Sequence, residues 1–303
     1  MNTVAKDAKI TLGPLLFNWP AEKRRDYYFR VADEADVNSV ILGEVVCSKR
    51  TPFMTKLWEE VIERVRAAGK EPIMSTQALI LSSREMGWMR DIVADPGIYY
   101  EANDIAVADM LKGRPHMIGP MMNVYNEGTL ATLARGGADR VCLPFEMSGE
   151  TTAVLAKSGI MEVEAFVYGR MPLAIAARCY HARAFNLPKD NCRYVCNLHN
   201  DGMTVDTLEG KPFLTVNGTQ TMSYTVNNLA AEIPQYLEMG VTRFRISPHD
   251  VDIVRLAEMF RGVIEGRTDP QEVLDETDGL VDGAPNSNGF FYDEEGLRYK
   301  VAE

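Results

Sequence analysis

Eight short apolar runs, each followed by a helical pattern, recur along the chain at roughly the 30-residue spacing of a β–α–β unit. No other feature constrains the fold as much. The runs are Lys9–Gly13, Ser39–Leu42, Pro72–Ser75, Ile98–Glu101, Met117–Ile118, Arg140–Leu143, Glu162–Val167 and Arg243–Ile246. Helical periodicity covers residues 20–36, 53–68, 82–94, 105–111, 127–135, 150–157, 229–240 and 251–262. In the first of these, Pro20 is placed to open the helix and Tyr27, Tyr28, Val31 and Ala32 share a face; in the second, Gly69 is placed to stop it. Such alternation predicts a parallel sheet, and eight repeats predict a (β/α)8 TIM-barrel-like fold rather than an open doubly wound sheet. The phosphate-binding fingerprints of the open sheet, G-x-G-x-x-G and Walker A, are missing. The barrel is expected as one domain over residues 9–262. Its period breaks at about 178–225, an irregular insertion after strand 7 with three cysteines and a predicted hairpin around Gly210.

Charge divides the chain. Lys and Arg number 32 against 43 Asp and Glu, a net charge of −11. Residues 264–303 hold eleven of the acids and three of the bases, leaving the rest at about −3. The stretch 263–303 therefore reads as an acidic, solvated C-terminal extension whose Phe290-Phe291-Tyr292 patch docks back on the body. No basic field is available for a nucleic-acid backbone, so nonspecific nucleic-acid binding is excluded. No apolar run is long enough for a membrane span. Met1–Lys9 is polar and has no apolar leader core, so a cytoplasmic protein is expected. Asn217-Gly-Thr219 matches a glycosylation sequon that such a protein would not use.

In a barrel of this kind chemistry sits at the C-terminal ends of the strands. The residues that follow them include Asn18, Glu44, Cys47, Lys49, Arg50, Gln77, Glu101, Asn103, Asn123, Glu146, Tyr168, Arg170 and His249. Five cysteines are sparse, and in a reducing compartment they point to metal binding or catalysis rather than disulfides. Cys179, Cys192 and Cys196 fall within 18 residues of one another, and Cys47 follows strand 2 at the same mouth. Four such thiolates suit an iron–sulfur cluster or structural zinc. A zinc site would use Cys192 and Cys196 with His199 or His181, and unliganded thiols are the third alternative. Cys142 lies inside strand 6 and reads as a small core residue. H-E-x-x-H and G-x-S-x-G are missing, and His249-Asp250 reads as the start of a helix with Asp250 as its cap.

The stretch Glu164-Ala-Phe-Val-Tyr168-Gly-Arg-Met-Pro172, with Arg178-Cys179 after it, resembles the signature of the collagenase-like peptidases of family U32. Tyr168 stands where that signature has His, and Pro172 where it has its first Cys. The segments Leu42-Gly-Glu-Val-Val-Cys47-Ser-Lys-Arg50, Leu187-Pro-Lys-Asp190-x-Cys192-x₃-Cys196 and Asn217-Gly-Thr-Gln-Thr-Met222-Ser223 resemble the branch of the family that serves ubiquinone biosynthesis. That resemblance implies a [4Fe–4S] cluster held by Cys47, Cys179, Cys192 and Cys196, the early Cys47 making good the loss at Pro172. It further implies a heterodimer with a homologous, UbiU-like subunit and a sterol-carrier-like lipid-binding protein working alongside. The implied activity is oxygen-independent ring hydroxylation of a ubiquinone precursor, with prephenate as hydroxyl donor. The alternatives are a non-catalytic scaffold or electron-relay partner, and less favourably a peptidase or RNA-base hydroxylase. Lys49, Arg50, Arg178 and Arg183 flank the cysteines as binders of a carboxylate-bearing donor or as counter-charges.

Overall fold

A computed structural model describes residues 7–301, so residues 1–6 of the polar N-terminal stretch and the last two residues of the acidic extension lie outside it. Seven strands come first: β1 (Lys9–Leu12), β2 (Ser39–Gly43), β3 (Glu71–Ser75), β4 (Tyr99–Ala102), β5 (His116–Ile118), β6 (Ala138–Cys142) and β7 (Glu162–Ile175). After them come β8 (Met203–Asp206), β9 (Pro212–Asn217), β10 (Gln220–Asn228), β11 (Arg243–Ile246) and a two-residue β12 (Asn286–Ser287). Strands β1 to β7 pair in sequence, all parallel, and β11 closes the ring by pairing parallel with both β1 and β7. The result is the (β/α)8 barrel that the alternation predicts. Strand β2, Ser39-Val-Ile-Leu-Gly43, is buried along its whole length, as a strand covered on both faces must be.

The helices are α1 (Ala21–Glu34), α2 (Trp58–Ala67), α3 (Ser83–Ile92), α4 (Ile105–Met110), α5 (Glu127–Arg135), α6 (Gly149–Lys157), α7 (Tyr180–Ala184), α8 (Ile233–Met239), α9 (Ile253–Ile264) and α10 (Pro270–Thr277). Local chemistry sets their starts: the side chains of Ser82, Asp104, Asn126 and Ser148 each accept a first-turn N–H. Helix α2 begins five residues later than its periodicity suggests. Ser48–Phe53 forms a 3₁₀ turn that includes Pro52, and residues 54–57 turn before the helix begins. Asp252, not Asp250, caps α9.

Strand β7 corrects the sequence reading most. Expected to end at Val167, it runs on to Ile175 as an arm beyond the barrel, where β10 pairs with it antiparallel. Gly169 and Pro172 mimic a strand end in sequence. Gly169 is instead a kink at φ +128°, and Pro172 sits where the β7–β10 register shifts. Strands β8 and β9 form the expected hairpin, and β9 pairs with β10, so the insertion is a small antiparallel extension of the barrel wall.

The acidic stretch is not solvated as expected. Val273, Leu274, Val281, Ala284 and Phe291 are buried, and β12 pairs with β10. Phe291 packs edge-on against Tyr236 at 5.1 Å, so the aromatic patch does dock, while the acids face outward.

Candidate functional site

The four candidate cysteines come from two places. Cys47 lies on the loop after β2, while Cys179, Cys192 and Cys196 lie on the excursion between β7 and β8. All are free thiols. Hydrogen bonds tie the segments that carry them: Lys49 Nζ reaches Asp190 at 3.1 Å, Arg50 reaches Asn217, whose Nδ2 donates to Cys196 O, and Thr219 joins Val46 O to the Ala176 N–H. Burial pushes the Cys47 thiol up against the opposing pull of Arg50, and it pushes Cys179 up against the Ala182 N–H. Cys142 is fully buried in β6, where desolvation drives its thiol far up, as befits a core residue.

Hydrogen bonds to sulfur are already in place. Asn18 Nδ2 donates to Cys196 Sγ at 3.2 Å, and the Ala182 N–H donates to Cys179 Sγ at 3.4 Å. Between Cys192 and Cys196 the backbone turns through Arg193 and Tyr194, both left-handed (φ +48° and +54°) without being glycine. Adjacent non-glycine residues in that region cost on the order of 1–3 kcal/mol each, and such strain concentrates where a structure holds a functional geometry.

Arg50 is the centre of this arrangement. It is 1% exposed. It donates to Leu16 O (3.1 Å), Asn217 O (3.2 Å) and Asn217 Oδ1 (2.7 Å), and Glu44 lies 3.8 Å away. Its two terminal nitrogens are thus committed to this framework. Lys49 is likewise engaged, bonding Lys189 O (2.6 Å) and Asp190 (3.1 Å), and so ties the Cys47 loop to the Cys192 segment. Only Arg178 and Arg183 stand exposed beside Cys179.

Sequence reasoning missed the organising role of Asn217, whose only single-residue signal was an unused sequon. Its Nδ2 donates to Cys196 O and His199 O, both at 3.0 Å, while its Oδ1 accepts from Arg50 and the Asn18 N–H. Gly218 follows at φ +73°, and a Cβ there would lie 2.4 Å from Arg50 Nη2. Thr219 Oγ1 donates to Val46 O (2.8 Å) and Gln220 Nε2 to Leu16 O (2.8 Å). The Asn217–Gln220 turn therefore fastens the loops after β1 and β2 to the excursion.

His249 is a second fastening that sequence reasoning misread. Its Nδ1 faces Asp201 at 2.9 Å and its Nε2 accepts the Arg170 N–H at 3.1 Å, which makes Nδ1 the protonated nitrogen. Burial works against the Asp201 carboxylate, but the hydrogen bonds from His249 and the Asp250 N–H, with the Arg170 charge, outweigh it and hold its pKa low. With both ring nitrogens committed, His249 anchors the excursion to β11.

The zinc arrangement is not assembled. Among the described residues no three His, Cys, Asp or Glu side chains are grouped to hold one metal ion. His181 and His199 bond each other instead, at 2.9 Å, and burial, with His199 and Arg50 adding, brings His181 down to about 4. A single zinc needs every sulfur about 2.3 Å from one point, whereas a four-iron cluster gives each thiolate its own iron and so takes a wider quartet. Four cysteines with N–H donors to sulfur and a buried cation suit the latter in donor type.

The barrel interior is closed by an ion triad, while a hollow of 190 Å³ lies at the mouth against Pro120, Met121, Phe145 and the β7 arm. Arg245 on β11 lies between two fully buried carboxylates, bonding Glu101 and, at 2.5 Å, Glu164. Ser75 Oγ donates to Glu101 at 2.7 Å, and Asn103 Nδ2 donates to Ser75 Oγ at 2.8 Å. Above them is a cavity of only 20 Å³.

Fold and site together define a (β/α)8 barrel whose wall is extended after β7 by a cysteine-bearing antiparallel arm. The chain belongs to peptidase family U32, whose family model matches residues 27–296. Among solved structures it is similar to dihydropteroate synthase from Thermus thermophilus, at 13% identity over 86% of this chain and 94% of that one, with a TM-score of 0.42. It is also similar to the tryptophan synthase complex from Pyrococcus furiosus, at 12% identity over 88% and 97% of the two chains, with a TM-score of 0.40. Likeness at this level says nothing of substrate. No helix among the described residues is long and apolar enough to cross a membrane.

Proposed function

We propose that this U32-family chain is the iron–sulfur subunit, UbiV-like, of an oxygen-independent hydroxylase acting on the ring of a ubiquinone precursor. The observation that carries the proposal is that Lys49 and Arg50, just after Cys47, tie that loop to the segment bearing Cys192 and Cys196, through Lys189 O and Asp190 and through Asn217. Those four cysteines would hold a [4Fe–4S] cluster, which supplies a redox or Lewis-acid centre when bound. The chain's own residues do the rest. Arg50 offsets the charge of the thiolates, Asn18 and the Ala182 N–H stabilise sulfur, and the Asn217–Gln220 turn holds both ligand-bearing segments. Arg178 and Arg183 beside Cys179, with Arg193 beside Cys192, are exposed cations able to receive an anionic hydroxyl donor such as prephenate.

The commitment of Arg245 favours a second form of this reading. Its charge is spent on Glu101 and Glu164, and the 190 Å³ hollow at the mouth is walled by Pro120, Met121, Phe145 and the β7 arm rather than by that arginine. The chain would then relay electrons or scaffold the complex while a UbiU-like partner, with a sterol-carrier-like protein presenting the precursor, carries the chemistry. The test is anaerobic co-purification with the UbiU-like subunit and a hydroxylation assay using Cys196→Ala in this chain alone. Abolished hydroxylation supports a cluster required here. Undiminished hydroxylation limits this chain to a scaffold, and failure of the two chains to associate contradicts both forms.

A further inference from the structure

Of the five acids buried among the described residues, four have a cation or an imidazole at hand. Glu101 and Glu164 share Arg245, Glu44 has Arg24 and Arg50, and Asp201 has His249. Glu232 has neither. It stands in the turn between β10 and α8, 2% exposed, and its side chain meets only neutral donors from the C-terminal stretch. Asn288 Nδ2 donates to its Oε1 at 2.9 Å, and the Tyr292 hydroxyl donates to the same oxygen at 3.1 Å. Among the described residues no donor reaches Oε2, which is buried as well. The titratable groups around it are tyrosines: Tyr236 one turn along α8, and Tyr292 and Tyr299 from the C-terminal stretch. Lys300 stands over the Tyr292 ring at 5.0 Å and pairs with Glu294, while Arg298 pairs with Glu294 and Glu295. An ionised carboxylate in such surroundings loses its hydration without gaining a counter-charge. Burial accordingly pushes the Glu232 carboxyl above its ordinary value, and the Asn288 and Tyr292 hydrogen bonds offset only part of that.

Asn288 and Tyr292 belong to one compact piece of chain. Asn288 Nδ2 also donates to Lys300 O, its Oδ1 accepts the Lys300 N–H, and its own N–H and that of Gly289 donate to Arg298 O. Residues 288–300 therefore dock or lift together. Behind them Phe290 and Phe291 share a gap of 10 Å³ with Leu143, Phe145 and Met147 of the loop after β6, and Phe145 also walls the 190 Å³ hollow at the barrel mouth. We propose that residues 288–300 are a proton-governed strap, closed on Glu232 while its carboxyl is neutral and loosened, together with the β6 loop behind it, when the carboxyl ionises. Lifting the strap exposes Glu232 to water, where it ionises at its ordinary value. The docking energy is therefore present in full below that value and is lost as the pH rises through the higher value of the docked state. The strap draws on no residue that holds the candidate cysteines, so it stands or falls apart from the cluster.

The test is hydrogen exchange of the full chain at pH 5.5 and pH 8.5, with the protection of each peptide corrected for its intrinsic rate. Protection over 288–300 should fall at least about threefold at the higher pH, and over 143–155 to a smaller extent, while β1 to β5 keep theirs. Exposed carboxylates are ionised throughout this range. Histidines and thiols also titrate in it, and Glu232→Gln separates their effect: this neutral side chain of the same shape should keep the strap closed at both pH values and abolish the fall. Tyr292→Phe gives an independent reading. It should loosen the strap more at pH 8.5 than at pH 5.5, because a hydrogen bond to an ionised acceptor is the stronger one. Equal protection of the natural chain at the two pH values, the same fall in Glu232→Gln, a fall spread evenly over the barrel, or an effect of Tyr292→Phe that is the same at both pH values would overturn the proposal.

Discussion

Replacing Arg245 with methionine should cost about 3–5 kcal/mol at neutral pH, because it leaves two carboxylates buried without their cation. Glu101 and Glu164 are both 0% exposed, and the arginine between them is 3% exposed, so water cannot take its place. For a chain of this length the unfolding entropy is on the order of 0.6 kcal/mol per degree, which converts the penalty to a fall in Tm of about 5–8 °C. The penalty should also depend on pH. Burial opposes the Glu164 charge, but Arg245, Thr11 and Arg243 outweigh it and hold its pKa below the ordinary carboxylate value. Its contribution in the natural chain is therefore present above the unfolded carboxylate pKa and is lost as the pH falls. Without Arg245, burial drives Glu164 the other way, and it takes up a proton on mild acidification. The stability gap between variant and natural chain should thus be widest near pH 7.5 and narrow toward pH 5. Urea unfolding at the two pH values measures it, and adding Glu164→Gln to Arg245→Met should recover part of the loss. A penalty under about 1 kcal/mol, or one identical at both pH values, would refute the reasoning.

Other substitutions probe the remaining parts. Gly218→Ala should destabilise by about 2–3 kcal/mol in thermal unfolding, against about 1 kcal/mol for Gly210→Ala, because both have φ near +75° but only the first meets Arg50. His249→Ala should release the excursion from β11, raising hydrogen exchange and protease cleavage over residues 189–202 before the barrel itself opens. Phe291→Ala should cost about 3 kcal/mol, since this 6%-exposed ring docks the acidic segment on Tyr236, whereas a solvated extension would register no change.

The barrel was legible because its signal is local and repeated: a buried parallel strand is an apolar run and each helix has its own periodicity. The ring closure, the Glu127–Arg135 helix and the Arg243–Ile246 strand all match the reading from sequence. What escaped depends on pairing across long distances. Strand β7 continues past Gly169 and Pro172 because β10, some 50 residues on, supplies its partner. The acidic segment docks because its five buried apolar residues outweigh acids that can face water, and a summed charge conceals that. The candidate site's thiols were legible as residues, because cysteines stand out in a sequence. The supports of the site were not, because Asn217, Arg50 and His249 act through contacts with residues as far as 199 positions away. Arg50 in particular reads from sequence as a donor binder or a counter-charge beside the cysteines, and its burial places it in the framework.

The central claim is that four of the five cysteines share one cluster, and anaerobic reconstitution followed by iron and sulfide analysis tests it most directly. The account predicts about four iron and four sulfide per chain. It also predicts a visible charge-transfer spectrum, both features lost in Cys196→Ala and kept in Cys142→Ala. A folded chain that takes up no iron, or one whose iron survives Cys196→Ala and disappears in Cys142→Ala, would contradict it.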